Sequence, residues 1–326
     1  MYNNKRMENS MEQRLLGRTG IKISPLVYGT LPLGYLQANL SPEEGGRLIR
    51  YALERGINAL DTATLYETYA HVREGLKGFN GEVTVITKSH ASDPQTARVH
   101  VERGLKELGR ERLDIVHVHA ARIEDPFVDR AAVIEEMLKM KEEGKIAHVG
   151  LSTHYISAVR KAARHPEIEV VHQLINRISM GILDGTAEEM AEAIKLCAEA
   201  GTGVYAMKAL AGGNLIGEAR KSFAYVLALP GVHGVAVGML SEKEIDANIA
   251  LFSGEAPDEE CWKKLESRTR RLAIMKNFCK GCGNCADACI NHAMTLVSGK
   301  PVVDEAACVL CGYCGAECPE FIIRVV

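Results

Sequence analysis

Residues 113–153 contain the runs LDIVHVHA (113–120), AAVIEEMLKMKEEG (131–144) and AHVGLST (147–153). The outer two are apolar almost throughout, as parallel strands covered on both faces are. The middle run is amphipathic and is closed by Gly144, a residue suited to ending a helix. A strand, a helix and a second strand make one crossover unit of a parallel sheet.

Working outward from this unit, six more strand-like runs recur at roughly 30-residue spacing. Upstream are PLVYGT (25–30), INALDTA (57–63) and VTVITKS (83–89), and downstream VVHQLIN (170–176), GVYAMKAL (203–210) and VHGVAVGM (232–239). Helical stretches lie between them. One is SPEEGGRLIRYALERG (41–56), with Ser41 as N-cap and Glu44 completing a capping box. Eight strand–helix units in about 250 residues predict an α/β fold, a closed (β/α)8 TIM barrel over residues 13–253. No GxGxxG follows the first strand, so the usual Rossmann signature is missing.

The 326 residues exceed what a barrel needs, so a second, smaller domain is expected. A net charge of −3, with 25% charged residues, gives no basic excess for nucleic acid. No apolar run approaches the roughly 20 residues that span a bilayer. The opening MYNNKRMENSMEQR is polar, which predicts a disordered segment over 1–12 and a cytoplasmic protein.

The tail carries the second signal. After SGEAPDEE (253–260) and CWKKLESRTRRLAIMKN (261–277), read as a linker and connecting helix over 254–276, come eight of the ten cysteines. Cys279, Cys282, Cys285 and Cys289 repeat as Cys308, Cys311, Cys314 and Cys318, an offset of 29 residues. Each half reads C-x2-C-x2-C-x3-C, the run in which three close thiolates hold one [4Fe–4S] cluster and the fourth reaches the other. On that rule Cys279, Cys282, Cys285 and Cys318 bind the first cluster, and Cys308, Cys311, Cys314 and Cys289 the second. Zinc modules more often use two separate CxxC pairs. The tail resembles a two-cluster bacterial ferredoxin along its length, which implies a small α+β ferredoxin-like domain over 277–326 and an electron relay. It departs from that pattern at Ile290, where the resemblance implies Pro. Cys197 and Cys261 lie outside the repeat and read as inert thiols.

In such barrels chemistry sits at the C-terminal ends of the strands. There the second run offers Asp61, followed by Tyr66, the third Lys88, and the fourth His117 and His119. Together they suit carbonyl reduction. A phenol protonates the oxygen, an ammonium lowers the phenol's pKa, a carboxylate holds the ammonium charged, and an imidazole hydrogen-bonds the oxygen. His117, two residues deeper on the same strand, reads as an interior hydrogen-bonded residue.

DTATLY, VITKS and DIVHVHA resemble the motifs of the aldo-keto reductases, a likeness running from about Leu15 to Phe252. It implies that Asp61, Tyr66, Lys88 and His119 are the catalytic tetrad, His119 being chosen because it stands five residues beyond Asp114. It also implies a nicotinamide site, NADPH or NADH, with Ser152, Thr153, Gln173 and Asn176 at the carboxamide and nearby sugar, and Gly238, Met239 and Asn248 at the adenosine end. Met207, followed by Lys208, replaces the aromatic residue that many members stack on the ring. Glu244 stands among acids where NADP-specific members carry Arg, which favours NADH. The function so implied is reduction of a small carbonyl compound by hydride, with the clusters as a second electron route and a ferredoxin or other redox partner possible. Two alternatives stand beside it. One is a ferredoxin-linked reductase fed by single electrons without nicotinamide, and the other a redox-sensing or electron-transfer protein with the barrel as scaffold.

Overall fold

The computed structural model describes residues 11–326. Eight parallel strands close into a barrel: Leu26–Gly29, Ala59–Asp61, Thr84–Ser89, Leu113–His119, Ile146–Thr153, Val170–Leu174, Gly203–Met207 and Gly234–Val237, the last pairing back onto the first. Helices on the outside bury the apolar outer face of the strands in one continuous core. The expected caps form: Ser41 and Glu44 make a reciprocal capping box on the helix Pro42–Leu53, and Gly144 takes φ +79° after the helix Ala131–Glu142.

A short hairpin, Arg14–Leu15 with Lys22–Ile23, precedes the barrel. It places Leu16 and Ile23 in an interior cluster with Val27, Ala59, Ile86, Ile115, Val170 and Tyr205. The hairpin reaches the barrel because Gly17, at φ +53°, has no side chain; a Cβ there would stand 2.3 Å from the Gly203 nitrogen. Of the stretch expected to be disordered, residues 1–10 lie outside the described residues, but Met11 is only 3% exposed and packs in the outer core.

The connecting helix is shorter than the sequence predicts. It runs over Glu259–Glu266, with Asp258 as its N-cap. Leu272–Ile274, read as a continuation of the helix, is instead a strand paired antiparallel with Ile323–Val325. Its partner lies some fifty residues away, so local periodicity could not reveal it. The cysteine module therefore begins near Arg271, and the 254–276 connector is a shorter link. A second two-stranded sheet, Met294–Val297 with Lys300–Val303, sits between the two cysteine runs.

The duplication extends to the backbone. Gly281 and Gly283 have positive φ, and so do Leu310 and Gly312 one repeat later; His292 and Phe321 match in the same way. Among the described residues no helix is long and apolar enough to cross a membrane.

Candidate active site at the junction of barrel and cysteine module

Asp61 and Lys88 end adjacent strands and meet inside the barrel. Lys88 Nζ donates to Asp61 Oδ1 at 2.6 Å, to Oδ2 at 2.7 Å and to the Thr62 carbonyl at 2.7 Å. The lysine is 1% exposed, so burial pulls its pKa down while Asp61 pulls it up. All three ammonium hydrogens have an acceptor, the condition under which a buried charge persists. Lys88 Nζ also stands 5.0 Å from the centre of the Tyr66 ring. Tyr66 meets His119 edge to face at 6.2 Å. The four residues expected to form a tetrad are thus brought together.

One electrostatic expectation is reversed. Lys88 was to lower the pKa of Tyr66, but burial, followed by Tyr313 and Asp61, drives that phenol well above its ordinary value. Tyr66 is therefore a neutral hydrogen donor. His119 is neutral too, since burial and then Lys88 push its pKa well down.

Behind the tetrad lies a polar network. Tyr205 on the seventh strand donates to Asp61 Oδ2 at 2.8 Å and meets His117 Nε2 at 2.9 Å. His172 stacks on Tyr205 with ring centres 4.0 Å apart. The His117 ring has room because Gly150 faces it; a Cβ there would be 2.3 Å from Nδ1.

The residues expected at a nicotinamide divide into two sets. Ser152 Oγ and both amide atoms of Gln173 are buried without a partner, so they fit a bound carboxamide. Thr153 accepts from the Tyr155 amide, and Asn176 is committed to its own loop, donating to the Met180 carbonyl and accepting from the amides of Ile178 and Met180. Lys208, at φ +59°, is half-buried, donates to His154 Nε2 at 3.2 Å and lies near Cys311. At the adenosine end, Met239 accepts from the Tyr28 hydroxyl through its carbonyl, Gly238 faces Pro32 at a spacing no Cβ tolerates, and Asn248 keeps a buried unpartnered Oδ1. Glu244 does not stand as a free negative charge. It accepts from the Leu240 amide and is paired with Arg268, beyond the connecting helix. The preference against a phosphate drawn from Glu244 loses its basis.

The eight repeat cysteines surround two separate hollows. Cys279, Cys282, Cys285 and Cys318 line one, and Cys289, Cys308, Cys311 and Cys314 the other. Among the described residues no three thiols converge on a single metal ion. Four thiolates on one zinc would stand roughly 3.8 Å apart, from a Zn–S length of about 2.3 Å. Thiolates on separate irons of a cluster stand farther apart. Gly281 donates to Cys279 Sγ at 3.3 Å and Ala293 to Cys289 Sγ at 3.2 Å. Ile290 is buried between the second hollow and the barrel side. Cys197 is sealed in the core, its thiol donating to the Val159 carbonyl and its pKa pushed up to about 12 by burial.

The module docks over the mouth of the barrel. Asn214 Nδ2 donates to the Cys308 carbonyl at 2.9 Å, Arg270 to Gln37 Oε1 at 2.7 Å, and Arg122 to the Ala288 carbonyl. A Cβ on Gly212 would stand 1.7 Å from the Val309 oxygen, and one on Gly312 2.4 Å from the Leu36 oxygen. Between the two parts lies a cavity of about 490 Å³. His119, Leu36 and Arg122 line it from the barrel. The module contributes equivalent positions of both repeats: Asn284 and Tyr313, Asp287 and Ala316, Ala288 and Glu317, each pair 29 residues apart. Tyr66 is not among the described residues lining this cavity. It forms a small cluster with Leu36 and Ala63, against which Tyr313 packs. Reading the sequence for function missed Tyr313; the available signal was its bulk at the position where the first repeat carries Asn284.

A closed α/β barrel holding a Lys–Asp pair, a phenol and an imidazole at its mouth defines an oxidoreductase. The family model for the Aldo/keto reductase family matches residues 25–224, so the chain belongs to that family. It is 30% identical over 206 residues to a probable aldo-keto reductase of Glycine max, a match covering 58% of this chain and only 56% of that relative. It is 24% identical over 287 residues to an L-galactose dehydrogenase of Arabidopsis thaliana, covering 74% of this chain and 88% of the relative. The solved structure of a putative aldo-keto reductase from Pseudomonas aeruginosa superposes with a TM-score of 0.64 at 26% identity, over 74% of this chain and 95% of that one. The family match ends before the cysteine-rich tail.

Proposed function

We propose that this chain reduces a carbonyl compound at the Asp61, Tyr66, Lys88 and His119 tetrad. The observation that carries the reading is the buried Lys88, with every hydrogen accepted and its charge held under the Tyr66 ring, beside an open cavity reached by His119. Neutral Tyr66 is the proton source, Lys88 stabilises the phenolate left behind, Asp61 fixes Lys88, and neutral His119 donates to the substrate oxygen. A reduced nicotinamide, when bound, supplies the hydride. Ser152 and Gln173, with their unpartnered polar atoms, would hold its carboxamide.

The two thiol-lined hollows support two [4Fe–4S] clusters, whose chemistry is single-electron transfer. A second reading draws the electrons from those clusters instead of nicotinamide. It is favoured by one observation: the Cys308–Tyr313 loop sits directly against the loop after the seventh strand, over Lys208. A cytoplasmic location and a redox partner fit either reading.

Anaerobic titration of the iron-loaded protein with NADH and NADPH, followed by nucleotide fluorescence and visible bleaching, tests the proposal. Binding with 4-nitrobenzaldehyde turnover and no bleaching is expected for hydride chemistry. Turnover only after reduction by dithionite would favour the second reading. Turnover with none of the three donors would sink carbonyl reduction.

A further inference from the structure

The cavity between barrel and module has walls of opposite charge. Arg122 and Arg130, both beyond the end of the fourth strand, line it from the barrel, and Asp287 and Glu317 line it from the module. The duplication places the acids, since each repeat carries one in the two positions before its fourth cysteine, Asp287 ahead of Cys289 and Glu317 ahead of Cys318. Among the described residues none of the four has an oppositely charged side chain within 4.0 Å, so the two signs share the cavity without pairing. Arg122 spends one N–H on the Ala288 carbonyl and Arg130 one on the Asp129 carbonyl at 2.8 Å, which leaves most donors of each guanidinium unspent. Arg122 also stands 6.0 Å from the centre of the Tyr313 ring, which packs against the cluster holding Tyr66. His119 lines the same cavity, so the cationic wall adjoins the tetrad.

We propose that the cavity selects a carbonyl compound carrying both a carboxylate and an ammonium group, the carboxylate held by Arg122 and Arg130 and the ammonium by Asp287 and Glu317. This rests on the carbonyl-reduction reading and names its substrate class. A volume of about 490 Å³ suits a small organic molecule. A planar guanidinium presents paired N–H donors that match a carboxylate, and two carboxylates accept the hydrogens of an ammonium. An anion without the ammonium meets the two acids as like charges, and a cation without the carboxylate meets the two arginines, so each wall rejects what the other attracts. One wall belongs to each domain. Selection therefore needs the module docked, which gives the fusion of the two domains a chemical reason.

The test is calorimetric titration of full-length, iron-loaded protein with unreactive probes of one shape: 4-(aminomethyl)benzoate with both charges, 4-methylbenzoate with the carboxylate only, and 4-methylbenzylamine with the ammonium only. The first is expected to bind about 10-fold tighter than either of the others. Arg122→Gln and Arg130→Gln should each weaken it about 5-fold without weakening 4-methylbenzylamine. Asp287→Asn and Glu317→Gln should each weaken it about as much without weakening 4-methylbenzoate. Wild-type iron content shows that the module is intact, and two variants per wall keep each wall tested if one of them loses iron. The same probe should inhibit reduction of 4-nitrobenzaldehyde competitively, which places it in the cavity beside the tetrad. Equal affinity for the three probes, non-competitive inhibition, or a wall whose iron-loaded variants leave 4-(aminomethyl)benzoate affinity unchanged would overturn the proposal. If the wild-type protein reduces nothing, carbonyl reduction fails, and the calorimetry alone decides whether the cavity binds the two charges together.

Discussion

Tyr205 donates to Asp61 Oδ2 at 2.8 Å from across the barrel, so the carboxylate that holds Lys88 is itself held. The same hydroxyl meets His117, which tightens its orientation. Tyr205→Phe removes a hydrogen bond to a buried charge and is expected to cost about 1.5–3 kcal/mol of stability. Denaturant unfolding checks this, and a loss below about 0.5 kcal/mol would mean that Lys88 alone holds Asp61.

The Lys88–Asp61 pair is buried on both sides, with side-chain exposures of 0% and 5%. Lys88→Met leaves Asp61 with an uncompensated charge, expected to cost about 3–5 kcal/mol as well as activity. The double variant Lys88→Met with Asp61→Leu should recover much of the stability and none of the activity. Recovery of neither would point to packing defects in place of charge.

The two hollows draw their fourth thiol from the opposite repeat. Cys318→Ala should therefore spoil the hollow built by Cys279, Cys282 and Cys285, forty residues earlier, and leave that of Cys308, Cys311 and Cys314. Bound iron is expected to drop to about half, with the spectroscopic signature of one cluster kept. The same loss from Cys289→Ala, with the other signature kept, completes the check; identical residual spectra from both variants would rule out the exchange of ligands.

Gly212 combines φ +72° with backbone contact to Val309. Gly212→Ala forces both a strained backbone and a retreat of the module, at a cost of about 1–3 kcal/mol. Hydrogen exchange should quicken at 209–214 and 308–313 together. Faster exchange in only one of the two segments would show that the contact does not couple them.

Glu169 sets a pH limit on the barrel floor. Burial pushes its pKa up, but hydrogen bonds from His148 and Lys141 outweigh that and hold it at about 2, below the 4.5 of an unstructured glutamate. A depressed pKa contributes stability above the unfolded value and loses it as pH falls through the folded one. The stability gap between wild type and Glu169→Gln is therefore expected to be full at pH 6 and to close between about pH 4.5 and 2. A gap unchanged over that window would remove Glu169 as the titrating group.

The strand runs from PLVYGT to VHGVAVGM and the repeat of cysteines are local patterns, each written in a few consecutive residues, and so the barrel and the duplicated tail were legible before any coordinates. Asp61, Tyr66, Lys88 and His119 were legible for the same reason, since each ends or follows a strand whose place in the barrel follows from its order. What local pattern cannot carry is docking. Tyr313 reaches Tyr66 across 247 positions of chain, Leu272–Ile274 finds its partner at the far end, and Arg268 neutralises Glu244 from beyond the connecting helix. Each depends on how two separately folded surfaces settle against one another, through contacts such as Gly212 on Val309 that leave no periodic trace in the sequence. Burial likewise pushes the Tyr66 phenol up, because desolvation depends on what covers a group, and around Tyr66 residues of the barrel, Leu31 and Leu65, and of the cysteine module, Tyr313 and Ala316, pack together.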